Sequence, residues 1–319
     1  MCHRAFTPGY GPDVPNHQRW IPPVPGPAEA AAGLLAGAAG RAVSPIVRGA
    51  IQGQLHKVFR GDDDTPLPAA TVDDPGWFGP GSVTWRVHAD SSMFVAGIAA
   101  LAFQALHPLA MAGVADHSDF QADPLGRLRR TAGFVGTTAY GSSTEAAQAC
   151  AVVRRVHTRV VGSAPDGRPY AANDPELLDW VHVAEFATFA AAHRRFGADP
   201  MSDDELDRYV GEVARIGVEL GDPSPPRSWA ELDDALERHR QNLCVNEQSR
   251  TAWRFLSRAH LVLPPPARPA YQLLFAGAIA CLPPWARRLW GVSRPSTAEL
   301  AACRAFVRGI GALVGEPPR

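Results

Sequence analysis

The chain has 319 residues and a formal net charge of −1, enough length to bury a sizeable core in one large domain or two. Basic and acidic residues nearly balance, 31 against 32, so no global basic field points to nucleic acid as a partner. Lys57 is the only lysine, which excludes nearly every mechanism that needs a Schiff base or a P-loop.

Residues 1–27 are rich in proline and glycine ("TPGYGPDVP", "IPPVPGP") and read as an irregular segment. Pro8, Pro12 and Pro15 stand where the apolar core of a secretory leader would lie, so none is expected. Residues 28–82 read as an alanine-rich helix to about 58, then a long loop packed on the core. From 83 onward, apolar residues recur at spacings of three and four, and alternating strand-like runs are scarce. The expectation is an all-α fold: a main helical domain over 83–260, completed by C-terminal helices over 261–319. The five cysteines (Cys2, Cys150, Cys244, Cys281, Cys303) show no CxxC, CxxCH or zinc spacing, so a reduced cytoplasmic setting fits better than a disulfide scaffold.

The stretch "FVAGIAALAFQALHPLAMAGVA" (94–115) is long enough to span a bilayer. Gln104, His107 and Pro108 interrupt it near its middle, which is costly in lipid, so a buried, broken helix is favoured and peripheral membrane association stays open. His107 is expected at that break. His117, between Asp116 and Ser118, suits a helix N-terminus or tight turn and a pocket rim. Next, "DPLGRLRRT" (123–131) opens a helix at Asp123–Pro124 and sets Arg127, Arg130 and Thr131 on one face. Two arginines beside a hydroxyl suit a pair of carboxylates; a solvated basic face is the plainer reading.

In "CAVVRRVHTRVVG" (150–162), helical spacing places Cys150, Val153, His157, Val160 and Val161 on one stripe. His157 is then a lone imidazole on an apolar face. It is either a core histidine bonded to a carbonyl or a proximal haem ligand, since iron in haem needs one neutral imidazole in a dry slot. "AANDPELLDWVHVAEFATFAAAHRRFG" (171–197) is the clearest helix, with Asp174 as N-cap, Pro175 at its first position and Gly197 at its end. His182, Glu185, Phe186 and Phe189 share one of its faces. Asp179 and His182 form half of a di-iron motif whose other half is missing, so a hydrogen-bonded core histidine or a His–Glu pair tuning a pocket remain. Two more helices start at Ser202 and at Ser228, the latter with Glu231 in capping-box spacing. No HExxH, GxSxG, Walker A or GxGxxG motif occurs.

The order "HPLAMAGVADHSDFQADPLGRLRRT", "VRRVHTRVVG", "YAANDPELLDWVH" and an acidic helix ending "GVELG", over roughly 83–260, resembles the latex-clearing-protein (rubber oxygenase) family, which includes the endoplasmic-reticulum oxygenase of mycophenolic acid biosynthesis. The resemblance implies an all-helical oxygenase that binds haem b through one histidine and uses dioxygen on an apolar or prenylated substrate. The proximal ligand would be His157, and Arg127 and Thr131 would flank the distal side. Arg130 stands where latex clearing protein has a lysine able to ligate iron; an arginine stays protonated and does not, so the sixth position would hold water or stay open. Arg127 and Arg130 would hold propionates, and His182 or His117 would shape the pocket or relay a proton. Asp116 and Asp119 lie near the distal side without an assigned role. Alternatives are a haem peroxygenase or peroxidase of specialised metabolism, served by peroxide or by an electron donor, and a non-catalytic helical protein that binds haem or lipid.

Overall fold

The computed structural model describes residues 19–41, 70–71, 73–118, 122–263 and 265–314. The expected helix over 42–58, most of the following loop, and Asp119 lie outside the described residues.

The described chain is all-helical apart from one small hairpin. Its helices are α1 (Pro27–Arg41), α2 (Val83–Ala89), α3 (Met93–Gln104), α4 (Pro108–His117), α5 (Pro124–Tyr140) and α6 (Ser143–His157), then α7 (Pro175–Phe196), α8 (Asp203–Leu220), α9 (Trp229–Arg240), α10 (Glu247–Arg258), α11 (Arg268–Cys281), α12 (Pro284–Trp290) and α13 (Thr297–Val314). Between α6 and α7, β1 (Val161–Ser163) pairs antiparallel with β2 (Pro169–Ala171), Gly162 opposite Tyr170.

Local chemistry sets most helix starts. Asp174 accepts from the Glu176 N–H with Pro175 in the first turn of α7, and Asp123 does the same for Gly126 ahead of Pro124 in α5. Ser202 and Glu205 form a reciprocal capping box at α8, which ends at Gly221 in the left-handed region (φ 105°). At α9 only half of the expected box forms. Ser228 caps the Glu231 N–H, but the Glu231 carboxylate accepts from the Arg227 N–H instead of closing back on Ser228.

The centre of the molecule is α7. All but five of its twenty-two residues are buried, so it is surrounded rather than laid on one side. It packs against α3, α8, α9, α11 and α13. Trp180, Phe186, Phe189 and Phe196 are almost fully sequestered, and each such side chain contributes about 1.5–3 kcal/mol relative to exposure. Trp180 also donates to the Gln104 carbonyl at 3.2 Å, which ties the middle of the bundle to the end of α3.

The apolar run over 94–115 breaks where its sequence does. Pro108 starts a new helix, His107 becomes its N-cap, and α3 and α4 meet at 106°. Among the described residues no single helix is long and apolar enough to cross a membrane, although this bent pair passes the same length and composition test when joined. Cys150, Cys281 and Cys303 are buried free thiols. Cys244 is disulfide-bonded, which departs at that position from the reduced setting expected of the cysteines.

The two ends of the described chain meet: α1 lies along α13. The helices approach so closely that a Cβ at Gly40 would stand 2.9 Å from the Gly309 carbonyl oxygen. Beneath them Arg195 of α7 pairs with Glu29 of α1 at 2.6 Å, both almost fully buried.

Candidate functional site

Three of the stretches singled out from sequence converge at the C-terminal end of α4. Arg127, in the first turns of α5, donates to the Ser118 hydroxyl, which follows α4 directly. His117, the last residue of α4, donates from Nε2 to the Val161 carbonyl of β1 at 3.3 Å. Tyr170 of β2 donates to Asp116 at 2.6 Å and stacks edge-on with His117. His157 closes α6 four residues before Val161, so it is joined to the same corner through the hairpin.

The expected helical stripe around His157 is corrected by this geometry. The helix stops at His157, and Val160 and Val161 leave for the turn and hairpin, because strand pairing of Val161 with Ala171 captures the chain. His157 therefore stands at a helix end, partly buried, and is not enclosed in the middle of a helix. Its Nδ1 is buried and has no protein partner. Burial lowers its pKa, so the ring is held neutral, the form in which imidazole donates a lone pair.

The Arg127–Arg130–Thr131 face separates into two environments. Arg127 is partly buried, and burial, then the Arg130 charge, draws its pKa down. Arg130 is exposed and pairs weakly with Asp123 at 3.4 Å, and Thr131 is exposed. His117 is likewise exposed, and it ends a helix where a helix start was expected. His107 is an N-cap whose Nδ1 accepts from the Ala110 N–H at 3.4 Å; burial, then His239, lowers its pKa to about 4.

His182 lies elsewhere, deep in α7. Both ring nitrogens are buried without a protein partner, and the ring sits 4.7 Å from Phe186 and against Gly217, where a Cβ would come within 3.1 Å of Nδ1. Burial lowers its pKa to about 4. Asp179 turns away from it and accepts from His239 Nε2 at 2.7 Å. One turn along, Glu185 accepts from Gln104 Nε2 at 3.3 Å, and burial raises its carboxyl pKa to about 7.

Beside the buried His182, the side of α7 that carries Val181 and Glu185 is partly open. Val181 is 37% exposed in a helix whose other apolar side chains are buried, and Gln104 reaches its carbonyl at 3.4 Å. Gly97 and Leu101 lie on the same face of α3 as Gln104, and all three are partly exposed. Beyond the local helix backbone and chain neighbours, no atom lies within 4 Å of where a Cβ would stand at Gly97, or at Gly133 and Gly136 of α5. A separate cleft of about 250 Å³ beside the stacked Trp253 and Trp290 contains none of these residues.

Sequence reasoning passed over Gln104, Ser118, His88 and Tyr209. Gln104 showed only as an interruption of an apolar run, and Tyr209 carried no signal of its own. Ser118 and His88 carry no local signal, since their partners Arg127 and Tyr209 come from other elements.

The family model described as ER-bound oxygenase mpaB/B'/rubber oxygenase, catalytic domain, matches residues 85–312. The match extends past the 83–260 stretch that carries the motifs and takes in α11, α12 and nearly all of α13. No curated protein and no solved structure matches the chain.

Proposed function

The chain belongs to the mpaB/rubber oxygenase family and is an oxygenase by that membership, and from this premise we propose that it binds haem b through His157 and oxidises an apolar small molecule. The observation that carries the proposal is the His157 ring: neutral, partly accessible, at the end of a helix, with a buried Nδ1 that no protein group satisfies. A buried polar atom left unpaired costs about 1–3 kcal/mol, which a ligand or second partner would relieve.

To the setting of such a group we assign residues of α3, α5 and α7. Open space borders Gly97, Gly133 and Gly136, where any side chain would narrow it. Arg127 and Arg130 supply cationic donors suited to propionates, Arg127 already oriented by Ser118. Bound there, haem b would supply an iron that activates dioxygen. Arg130 is exposed and, as an arginine, would not serve as a metal ligand. Thr131 would donate a hydrogen bond on that side. Leu101, Val181 and Phe186 would hold an apolar substrate and exclude water. Glu185, poised near neutrality, would hold or release a proton there.

Purified protein expressed with ample haem is expected to show a Soret band and a pyridine haemochrome spectrum of haem b; neither appearing would overturn the proposal. Comparing dioxygen plus reductant with hydrogen peroxide on a prenyl alcohol then assigns the oxidant.

A further inference from the structure

We propose that Tyr209, His88 and His193 form a proton path through the core that joins the Glu185 carboxyl to the charged surface cluster of Arg86, Asp90, Asp199 and Glu205. The inference rests on the reading above for its purpose: it assumes that the open side of α7 faces the substrate.

The groups stand in order. Glu185, Phe189 and His193 follow one another at four-residue spacing on one face of α7. His88, from α2, lies against that face, stacked on Phe186 at 6.3 Å and edge-on to Phe189 at 5.6 Å. Its Nε2 is 3.1 Å from the Tyr209 hydroxyl, and the Tyr209 ring packs on Phe186 at 6.2 Å. The groups facing Tyr209 are His88, Glu185, Glu212 and Tyr140. Glu212 is committed to the Thr84 N–H and hydroxyl at 2.7 Å each, and Tyr140 donates to the Trp85 carbonyl at 3.3 Å. His88 is the hydrogen-bond partner of Tyr209, and we assign as its other partner Glu185, whose neighbour Phe186 packs on the Tyr209 ring.

The outer end reaches water. His193 is fully buried, and the charges of Asp90, Arg86, Asp199 and Glu205 act on it. Arg86 binds Asp199 at 2.6 Å and Glu205 at 2.7 Å, and the Asp199 side chain is 76% exposed. Both His193 nitrogens and His88 Nδ1 are buried without protein partners. Such orphans are rare in native cores, and here, with His88 against Phe189 and His193 one turn along the same face of α7, we assign them to bridging water. Burial holds His88 neutral, its pKa near 3. A neutral imidazole that takes a proton at one nitrogen releases one from the other, and Tyr209 passes its hydroxyl proton while accepting the next. Each ring returns to its starting charge, and no oxidant or reductant is needed.

The need for a rear route follows from the front. When an apolar substrate covers Gln104 and Val181, water is excluded from that side, and Glu185 can be reprotonated only through the core.

The test reads the protonated Glu185 carboxyl by infrared spectroscopy during transfer to heavy water, with dodecane as the apolar probe filling the open side; Glu185→Gln identifies the band. Wild type is expected to keep exchanging with dodecane present. Tyr209→Phe, which keeps the ring, and His88→Phe, which keeps the stack, are each expected to slow exchange about tenfold, the rate equivalent of one hydrogen-bonded link. Either variant suffices if the other does not fold by circular dichroism. Folded variants that exchange at the wild-type rate, or a wild type that stops exchanging once dodecane is added, would overturn the path. Because the measurement uses neither haem nor turnover, a missing Soret band would defeat the haem reading and leave this result to be judged separately.

Discussion

His157 of α6 and His182 of α7 stand in opposite settings. His182 is sealed in the middle of α7, surrounded by Phe186 and the backbone of α8 near Gly217. His157 ends α6, where the chain turns into a hairpin and one ring edge stays accessible. Both rings are held neutral and both have orphaned nitrogens. The difference is access. A ligand can reach an imidazole where a helix stops, and cannot reach one enclosed on every side without moving the core.

The sharpest way to break this comparison is to remove each ring. His157→Ala is expected to abolish the haem spectrum while far-UV circular dichroism stays helical, and His182→Leu is expected to keep the band. The reverse pattern would move the ligand into α7. A second effect tests how firmly α7 is fixed. Glu29→Ala leaves the Arg195 charge buried without its partner and should cost about 3–5 kcal/mol in urea unfolding, with the His157 corner unchanged. Smaller again, Ser118→Ala removes the hydroxyl that orients Arg127. It should cost about 1.5 kcal/mol, the low end for a bond to a charged group in a partly exposed site, and should weaken haem retention more than it lowers the unfolding midpoint.

The smallest effect at neutral pH is one of slope. His182 and His107 have folded pKa values near 4, below the ordinary 6.5, so between those values the unfolded chain binds protons that the folded chain refuses. Stability should therefore fall as pH drops from about 6.5 towards 4, and His182→Leu should make the unfolding midpoint less acid-sensitive in that window. Glu185 has the opposite sign. Its folded pKa near 7 lies above the ordinary 4.5, so it lowers stability as pH rises from 4.5 through 7, and Glu185→Gln should gain stability at pH 8 over pH 5 relative to wild type.

What the sequence made legible was local. Asp174–Pro175, Asp123–Pro124 and Ser202–Glu205 decide their own helix starts within one turn, so spacing alone reads them. The His107–Pro108 break is legible for the same reason. The end of α6 was not. Val160 and Val161 continue the apolar spacing, and what stops the helix is a strand partner, Ala171, reached only through the turn. The site has the same division. His157 and Arg127 could be picked from motifs, whereas the Ser118 contact, the openness at Val181 and the Tyr209–His88 contact depend on elements far apart in the chain. The Ser228–Glu231 spacing shows the limit even of local rules, since an adjacent donor, the Arg227 N–H, took the carboxylate first.

The pairing of α1 with α13 also bears on how the molecule is made. Residues 27–41 leave the ribosome well before residues 297–314 are made. Until then the close seat at Gly309 does not exist for Gly40, and Glu29 waits in water for the Arg195 that will bury it. Contacts spanning so much of the chain form slowly, because loop closure must come before packing repays it. The first described helix therefore docks late, and its surface stays uncovered until α13 has been made.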